Sequence, residues 1–255
     1  MSQEEPHVLL EFDDNCAWLT LNRPTSRNCV TGQMIEELFE HLSEINDRDD
    51  VDVVALTGRG ETFCPGADLS AAASSPSALP PLEHYQLATL LVEMPQVTVA
   101  VINGACAGPG LAWASACDLR VASTNARFST AFVHVGLVGE FGLIWTLERN
   151  LGAARAKELM LLGDKFDAER ALAIGLTCRV FDAEQFHTQS RAFVSELASR
   201  SASSLRAMKA DFGSIGSMML ADYITVESVR HQSSFLGSDS QATREALAQR
   251  ARGLQ

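Results

Sequence analysis

The chain has 255 residues, of which 46% are hydrophobic and 20% are charged, and its formal net charge is −12. This composition is typical of a soluble globular protein with a sizeable core, and the negative charge argues against non-specific binding to nucleic acid or to an anionic membrane. The six cysteines form no C-x-x-C pair and the histidines show no H-E-x-x-H spacing. The sequence therefore predicts reduced thiols and no metal site. Because the N-terminus is acidic and no apolar run reaches about 18 residues, we expect a cytoplasmic protein.

The first half of the chain predicts an alternation of short strands and helices. Thr31 is placed to cap a helix over residues 32–47, and a second helix over residues 82–94 ends at Pro95. Five apolar residues fall on one face of the first helix: Met34, Ile35, Leu38, Leu42 and Ile45. Strands are predicted over residues 7–12, 16–21, 51–58, 96–102, 118–123 and 126–128.

Two stretches share one plan of a strand, a glycine-containing turn and a helix: VDVVALTG…FCPGADL and VTVAVING…AGPGLAWA. A turn of this kind at the start of a helix presents backbone N–H groups to a ligand. Pro109 lies in the middle of the second turn, and proline has no N–H to donate. Between the two stretches, the small and proline-rich segment 71–81 predicts a mobile loop.

The second half of the chain is predicted to be mostly helical. Helices are expected over residues 142–162, 167–174, 184–200, 202–216, 219–235 and 239–251. We therefore divide the chain into an α/β core over residues 1–200 and a helical C-terminal region over residues 201–255. The C-terminal region contains the apolar segments SIGSMML and YITVESV, so we expect it to pack against another copy of the chain as well as against its own core.

Four motifs occur in a fixed order along nearly the whole chain: LNRP, VVALTGRGETFCPGADL, VAVINGACAGPGLAWASACDLRVAS and ARFSTAFVHVGLVGEFGLIWTLERNLG. In this order and spacing they resemble the crotonase superfamily, which is the enoyl-CoA hydratase/isomerase family. The resemblance implies an α/β fold with a ββα spiral core and a helical C-terminal trimerisation region. It also implies a homotrimer or a dimer of trimers, and an acyl-CoA substrate whose coenzyme A is part of the substrate, with no separate cofactor.

The resemblance gives the two glycine-rich turns a role in holding an enolate oxygen with two backbone N–H groups. The donor of the first turn corresponds to Ala67, which follows the glycine of the GAD motif. The donor of the second turn is the middle residue of a Gly-x-Gly, and that residue is Pro109 here. Three explanations stay open: Gly110 donates instead, a water or side chain substitutes, or the protein binds acyl-CoA and catalyses poorly. A lost donor commonly costs a factor of about 100 to 1,000 in rate.

The resemblance also places the coenzyme near the NRP loop and the FCPGADL turn. Arg23 and Arg27 are predicted to reach phosphate oxygens, although both fit solvated surface arginines equally well. The carbonyl group of Pro65 is predicted to accept a hydrogen bond from the adenine amino group. The coenzyme-binding turn is completed by Ala67, Asp68 and Leu69, where Asp68 also fits a structural anchor.

The proton-transfer residue is predicted to be Glu140. Hydratases of the family use two glutamates, and the corresponding positions here are Ala112 and Phe132. Glu140 is the only acidic residue in residues 128–147, and its position resembles that of the single acid of enoyl-CoA isomerases, including the phenylacetate-pathway ring isomerases. A glutamate that points into water from a turn is the alternative. The expected function is therefore double-bond isomerisation, with a hydratase, or an acyl-CoA-binding protein of weak or no catalysis, as alternatives.

Several other residues are expected to have structural roles or to be weak candidates for the pocket. Trp113 and Trp145 are expected in the core, and Asp118 at the start of a strand as an anchor. His134 is expected to be a structural or surface residue. Glu83 and His84 are minor candidates for the pocket beside the predicted mobile loop.

Overall fold

The computed structural model describes residues 5–67 and 81–237, together with residues 241, 244, 245 and 248. Asp68, Leu69, most of the predicted loop 71–81 and most of the predicted helix 239–251 lie outside the described residues. No helix in the described part of the chain is both long and apolar enough to cross a membrane.

A six-stranded sheet forms the centre of the molecule. All neighbouring strands in it run parallel, except for the antiparallel hairpin at one edge. Its inner strands are apolar at nearly every position because helices cover both faces of a parallel sheet. In spatial order the strands are β1 (Val8–Asp13), β2 (Cys16–Leu21), β3 (Val53–Gly58), β5 (Val97–Ile102), β7 (Leu119–Ser123) and β10 (Arg179–Phe181).

A second sheet has four short strands, of which the first three run parallel and the last antiparallel. In spatial order they are β4 (Thr62–Cys64), β6 (Ala105–Ala107), β8 (Arg127–Ser129) and β9 (Phe166–Asp167). Thr62 pairs with Ala105 and Cys64 pairs with Cys106. This pairing places the two glycine-rich turns, which directly follow β4 and β6, next to each other.

Nine α-helices lie within the described ranges, and most have the bounds that the sequence predicts. Two predictions differ. The helix predicted over residues 142–162 is two helices separated at Gly152, where φ is +78°. The helix predicted over residues 82–94 is α-helical only at Leu87–Glu93, after a 3-10 turn. Short 3-10 turns occur at Pro24–Ser26, Leu82–Gln86 and Phe132–Val135. The α-helices are α1 (Gly32–Asn46), α2 (Leu87–Glu93), α3 (Pro109–Ala116), α4 (Leu143–Leu151), α5 (Ala153–Leu162), α6 (Ala168–Ala173), α7 (Phe186–Ala198), α8 (Ala202–Ser214) and α9 (Leu220–Leu236).

Helix α1 forms as the sequence predicts. The Thr31 hydroxyl accepts a hydrogen bond from the Met34 N–H at 3.2 Å, which caps the first turn of the helix. All five residues of the predicted apolar face are buried. The helix therefore packs on the sheet through the face that its periodicity indicates.

The two faces of the six-stranded sheet carry different cores. On one face, Leu19, Leu56 and Ile102 belong to the large core that includes α1 and α3. On the other face, Trp18 and Val99 belong to a smaller core that includes apolar residues of α7. The alternation of side chains along the strands explains this division. Both glycine-rich turns lie on the side of the large core.

A buried lysine anchors the C-terminal helices to the α/β core. The ammonium group of Lys209, in α8, donates to the carbonyl oxygens of Leu91 and Gln96 at 3.0 and 2.8 Å. It also lies 2.8 Å from a carboxylate oxygen of Asp118, so Asp118 has the structural role that the sequence predicts. Burial lowers the pKa of Lys209, and the charge of Asp118 opposes that shift.

The last described helix leaves much apolar surface exposed. Helix α9 buries none of its residues within the chain. In the same region the side chains of Phe212, Met219 and Leu236 are 71%, 77% and 79% exposed. These helices therefore bury little of their apolar surface against their own core.

Candidate functional site

The two glycine-rich turns are in contact. Gly66 and Gly108 both have positive φ values, +123° and +53°, which side chains rarely allow. A Cβ atom built at Gly108 would lie 3.7 Å from the Cα atom of Gly66 and 3.8 Å from the ring of Phe132. The structure thus brings together the two units that share one plan in the sequence.

The first turn leaves the backbone N–H of Ala67 available. The Val30 N–H donates to the carbonyl oxygen of Gly66 at 2.9 Å, and Val30 and Ala67 form an isolated parallel bridge. Ala67 is exposed, and no acceptor within residues 5–67 and 81–237 is bonded to its N–H. The bridge fixes the position of the turn, and the N–H of Ala67 can therefore donate to a ligand.

The second turn explains why a proline is tolerated at position 109. Helix α3 begins at Pro109, with Gly108 as its N-cap residue. Proline fits the first position of a helix because its fixed φ is helical and the N–H of that position has no partner within the helix. The Gly108 N–H donates to the carbonyl oxygen of Ser129 at 3.2 Å, and the Gly108 carbonyl accepts from the Ala112 N–H at 3.0 Å. The proline therefore serves the helix while it removes a donor from the turn.

Gly110, the alternative donor, packs directly against Cys64. A Cβ atom at Gly110 would lie 2.6 Å from the Cβ atom of Cys64, so the close approach requires glycine there. Burial raises the pKa of the Cys64 thiol to about 12, while interactions with the N–H groups of Gly66 and Gly110 oppose that shift. The Gly110 N–H thus interacts with a thiol that stays protonated.

Two apolar residues occupy the positions of the hydratase glutamates. Ala112 lies within α3 and is fully buried. Phe132 is 5% exposed, and its ring lies beside Gly108. Neither residue can accept or donate a proton, so the surroundings of the second turn are apolar.

Glu140 is half-buried in the loop that leads into α4. Its carbonyl oxygen accepts from the Leu143 N–H at 3.1 Å, while its carboxylate has no hydrogen-bond or ion-pair partner in the described part of the chain. Burial raises the pKa of this carboxyl group. Burial is also the main cause of the raised pKa values of Cys64 and Tyr85, and the charge of Glu140 raises both further. Glu140 therefore interacts electrostatically with Cys64, which directly precedes the first turn, and is easier to protonate than a solvated glutamate.

A cavity of about 390 Å³ is lined by Phe141 and Gly142, the two residues that follow Glu140 in the chain. Its aromatic wall is formed by Tyr85, Phe141 and Trp145, and the other lining residues lie in α2 and α4 or directly before these helices. A larger cavity of about 620 Å³, lined in part by Trp18 and Arg191, lies on the other face of the six-stranded sheet. No predicted site residue that the structure describes lines either cavity, but Phe141 and Gly142, which follow Glu140 in the chain, line the smaller one. We therefore place the candidate active site at the turns and the smaller cavity.

The predicted coenzyme-binding residues lie in the loop before α1 and in the first turn. A guanidinium nitrogen of Arg23 donates to the carbonyl oxygen of Cys29 at 2.7 Å, so this side chain helps to hold the loop together. Arg27 is exposed and has a left-handed backbone with φ +52°. Pro65 is half-buried, and its carbonyl group belongs to the first turn.

The two tryptophans that the sequence predicts in the core differ in burial. Trp113 is fully buried, as predicted. The prediction for Trp145 is wrong, because this side chain is 53% exposed and the Arg149 guanidinium lies 4.6 Å from its ring centre. Trp145 lies at the rim of the smaller cavity, on the solvent side of α4.

His134 lies at the surface, as the sequence predicts, and the two minor candidates for the pocket, Glu83 and His84, do not line the smaller cavity. His134 is exposed, and its Nε2 atom lies 3.0 Å from the carbonyl oxygen of Gly163. Glu83 is exposed, and the ring of His84 packs against that of Phe39 at 5.3 Å. None of the three residues lines the smaller cavity.

Sequence reasoning missed Cys64, Tyr85 and Phe141. Cys64 precedes the PGAD turn, and its packing against Gly110 depends on strand pairing between distant segments. Tyr85 lies in a segment that the sequence predicts as helical, with no signal that it faces Glu140. Phe141 directly follows Glu140, and this adjacency is the only signal in the sequence that could have pointed to Phe141.

Comparisons with known proteins agree with this geometry. Residues 11–252 match the family model described as enoyl-CoA hydratase/isomerase. The chain is 38% identical over 187 residues to "Probable enoyl-CoA hydratase EchA14" of Mycobacterium tuberculosis, which covers 71% of this chain and 72% of that protein. It is 32% identical over 200 residues to 1,2-epoxyphenylacetyl-CoA isomerase of Escherichia coli, which covers 76% of each protein.

Solved structures share the fold over nearly the whole chain. An enoyl-CoA hydratase from Polaromonas superposes with a TM-score of 0.88 and 25% identity, over 95% of this chain and 97% of that one. A Thermobifida fusca protein in complex with acetoacetyl-CoA superposes with a TM-score of 0.83 and 27% identity, over 89% of this chain and 94% of that one. The predicted crotonase fold is therefore confirmed. The chain belongs to the enoyl-CoA hydratase/isomerase family, the crotonase superfamily of enzymes that act on acyl-CoA thioesters.

Proposed function

We propose that this protein moves a double bond in an enoyl-CoA thioester, with Glu140 as its single acid and base. The supporting observation is the environment of Glu140: a half-buried carboxylate with a raised pKa, which interacts electrostatically with Cys64 directly before the first turn. Ala112 and Phe132 leave the second turn without a carboxylate. One carboxylate is enough for isomerisation, whereas hydration requires a base for the water and an acid for the carbon.

The proposed reaction begins with a 3-enoyl-CoA whose thioester oxygen accepts a hydrogen bond from the Ala67 N–H. Glu140 takes a proton from C2, and the electron pair of the C–H bond moves into a dienolate with its charge on the thioester oxygen. The same carboxyl group then returns the proton to C4, and the double bond ends between C2 and C3. A raised pKa suits this double role, because one residue must be base first and acid second.

The coenzyme is proposed to lie along the loop before α1 and the first turn. Arg27 is exposed there, and the carbonyl group of Pro65 is retained although the residue is a proline. The T. fusca structure in complex with acetoacetyl-CoA supports a thioester ligand. Asp68 and Leu69 remain predictions as coenzyme-binding residues, and Arg23 is proposed to support the loop as well as to approach a phosphate.

Two observations favour the alternatives. The M. tuberculosis relative is named as a hydratase, which favours hydration with water held by groups other than Ala112 and Phe132. Pro109 removes one donor, which favours an acyl-CoA-binding protein with weak catalysis. The E. coli relative is named as an isomerase, which agrees with the function that we propose.

We also propose the assembly that the sequence predicts, a homotrimer or a dimer of trimers built through residues 201–255. The exposed apolar side chains of α8 and α9 support it, because contiguous exposed apolar surface is typical of an interface between proteins. Sedimentation equilibrium at micromolar concentration should give a mass of three or six chains. A monomer would contradict the proposal.

The experiment that tests the proposed function replaces Glu140 by glutamine. The amide keeps the shape of the side chain but cannot accept the proton, so the isomerisation rate should fall about 100- to 10,000-fold. Affinity for a saturated acyl-CoA should stay within about threefold, since the shape and hydrogen-bonding surface of the pocket are kept. Isomerisation of a 3-enoyl-CoA by the parent protein should also be faster than its hydration of crotonyl-CoA.

A matched control is Glu148→Gln, which removes the charge of an exposed glutamate on α4. The control should isomerise at the parent rate. If the Glu140→Gln protein is as active as the parent, Glu140 is not the catalyst. If the parent hydrates crotonyl-CoA far faster than it isomerises a 3-enoyl-CoA, the hydratase alternative is correct.

A further inference from the structure

The residue after Glu140 has an unusual backbone conformation. Phe141 has a φ of +49°, and Gly142 after it has a φ of +68°. Two consecutive left-handed residues turn the chain sharply between Glu140 and the start of α4. Glycine adopts this conformation freely, whereas a bulky aromatic residue does so only when its surroundings hold it there.

Two aromatic rings hold the ring of Phe141. Tyr85, in the 3-10 turn before α2, stacks on it with ring centres 5.0 Å apart and an interplanar angle of 29°. Trp113, in α3, meets it edge to face at 5.6 Å and 71°. The ring is 3% exposed. Phe141 is thus wedged between two elements that are distant in sequence, and this packing opposes relaxation of the left-handed turn.

Within the described ranges, the carboxylate of Glu140 accepts no hydrogen bond and forms no ion pair. Its position therefore follows from the backbone turn at residues 140–142 and from the walls around it. An error of about 1 Å in the position of a catalytic group can cost a factor of about 100 in rate.

We propose that Phe141 is a positioning residue for Glu140: its ring, clamped between Tyr85 and Trp113, holds the strained turn that directs the carboxylate toward the substrate. The proposal rests on the proposed function of Glu140 as the acid and base. Phe141 itself touches no reacting atom. It acts by fixing the backbone and by keeping water away from the carboxylate.

The test compares Phe141→Gly and Phe141→Ala with the parent. Glycine keeps the left-handed turn accessible and removes the ring, whereas alanine removes the ring and keeps part of the strain. If the ring positions Glu140, both variants should lose about 10- to 100-fold in kcat. Their Kd for butyryl-CoA, which cannot isomerise, should stay within about threefold of the parent value, because the predicted coenzyme-binding residues lie in the loop before α1 and in the first turn rather than at Phe141.

The pH dependence of kcat distinguishes a positioning role from a purely structural role, because a purely structural role would leave this dependence unchanged. The rate requires ionised Glu140, so it falls as the pH falls through the pKa of this group. Removal of the ring admits water and lowers that pKa, and the acid limb of kcat should therefore shift to lower pH in both variants. Among the residues that the structure describes, the ionisable groups that interact with Glu140 are Cys64 and Tyr85, and both stay neutral across this range because their pKa values are raised.

Matched variants separate this inference from the proposed function. Phe181→Ala removes a ring that packs against Phe193 at 6.4 Å on the other face of the sheet, and it should keep the parent kcat. In a Glu140→Gln background, Phe141→Gly should cause no further loss. If Phe141→Gly does not fold, Tyr85→Leu removes one side of the clamp and should lower kcat with the same shift of the acid limb.

The possible outcomes are distinct. If Glu140→Gln is as active as the parent, the proposed function fails. If Glu140→Gln is inactive but Phe141→Gly keeps kcat within threefold and an unchanged acid limb, the positioning role alone fails. A loss in Phe141→Gly that appears only as weaker butyryl-CoA binding, or that is equally large in the Glu140→Gln background, also overturns it.

Discussion

The first and second glycine-rich turns share a backbone plan and differ in what they can donate. Each follows a three-residue strand, each contains a glycine with positive φ, and the two strands pair in parallel. The first turn ends in Ala67, with an available N–H, whereas the second continues into Pro109, the first residue of α3. The shape of such a turn therefore does not depend on the donor, because a proline that starts a helix preserves the shape and removes the N–H.

The difference predicts an asymmetric site. One backbone donor, at Ala67, faces the position proposed for the thioester oxygen, and the next candidate along the second turn, Gly110, interacts with the Cys64 thiol. A substitution that removes the donor of the first turn and a substitution that restores a donor to the second turn should therefore have effects of opposite sign on the rate.

Among substitutions in the two turns, the largest expected effect comes from Ala67→Pro, which removes the donor of the first turn. The rate of isomerisation should fall about 100- to 1,000-fold, since the N–H acts on the charge that develops in the transition state. The rate of isomerisation is measured by kinetics with a 3-enoyl-CoA as substrate. Ala202→Pro is the matched control, because residue 202 is the first position of α8 and tolerates proline. A rate in Ala67→Pro equal to that of the control would exclude Ala67 as a donor.

A smaller effect of opposite sign is expected from Pro109→Gly, which restores an N–H to the second turn. The kcat should rise about tenfold, while the Kd for butyryl-CoA should stay unchanged, because the donor stabilises the charged transition state more than the ground state. Ala153→Gly, at the first position of α5, is the control for glycine at a helix start. An unchanged or lower kcat would mean that the site does not lack a donor, or that α3 needs the proline to hold the turn.

The smallest expected effect concerns the packing between the turns, and it is measured as a change in the free energy of unfolding. Gly110→Ala would place a Cβ atom 2.6 Å from the Cβ atom and 2.9 Å from the sulfur of Cys64. This overpacking should lower the free energy of unfolding by about 1–3 kcal/mol, measured by urea denaturation. Gly32→Ala is the control, since a Cβ atom there meets nothing within 4 Å. Equal stability of the two variants would show that β4 and α3 can move apart.

Much of the fold could be predicted from local pattern. Five of the six strands of the larger sheet appear as short apolar runs, and α1 appears through its Thr31 cap and its buried face. The short strands β4, β6, β9 and β10 were missed because two or three residues are too few to show a period. The break at Gly152 was missed because the apolar pattern continues on both sides of it.

The sequence alone determined the family, the turn that contains Ala67, the loss of a donor at Pro109 and the choice of Glu140 as the remaining carboxylate. These features depend on residue identity and on short-range order, which are visible in the sequence. Only the tertiary structure decided that the two turns touch, that Cys64 packs under Gly110, and that Phe141 is held in a left-handed conformation by Tyr85 and Trp113. The physical reason is that each of these contacts joins segments distant in sequence, and no local pattern records which distant side chains will meet.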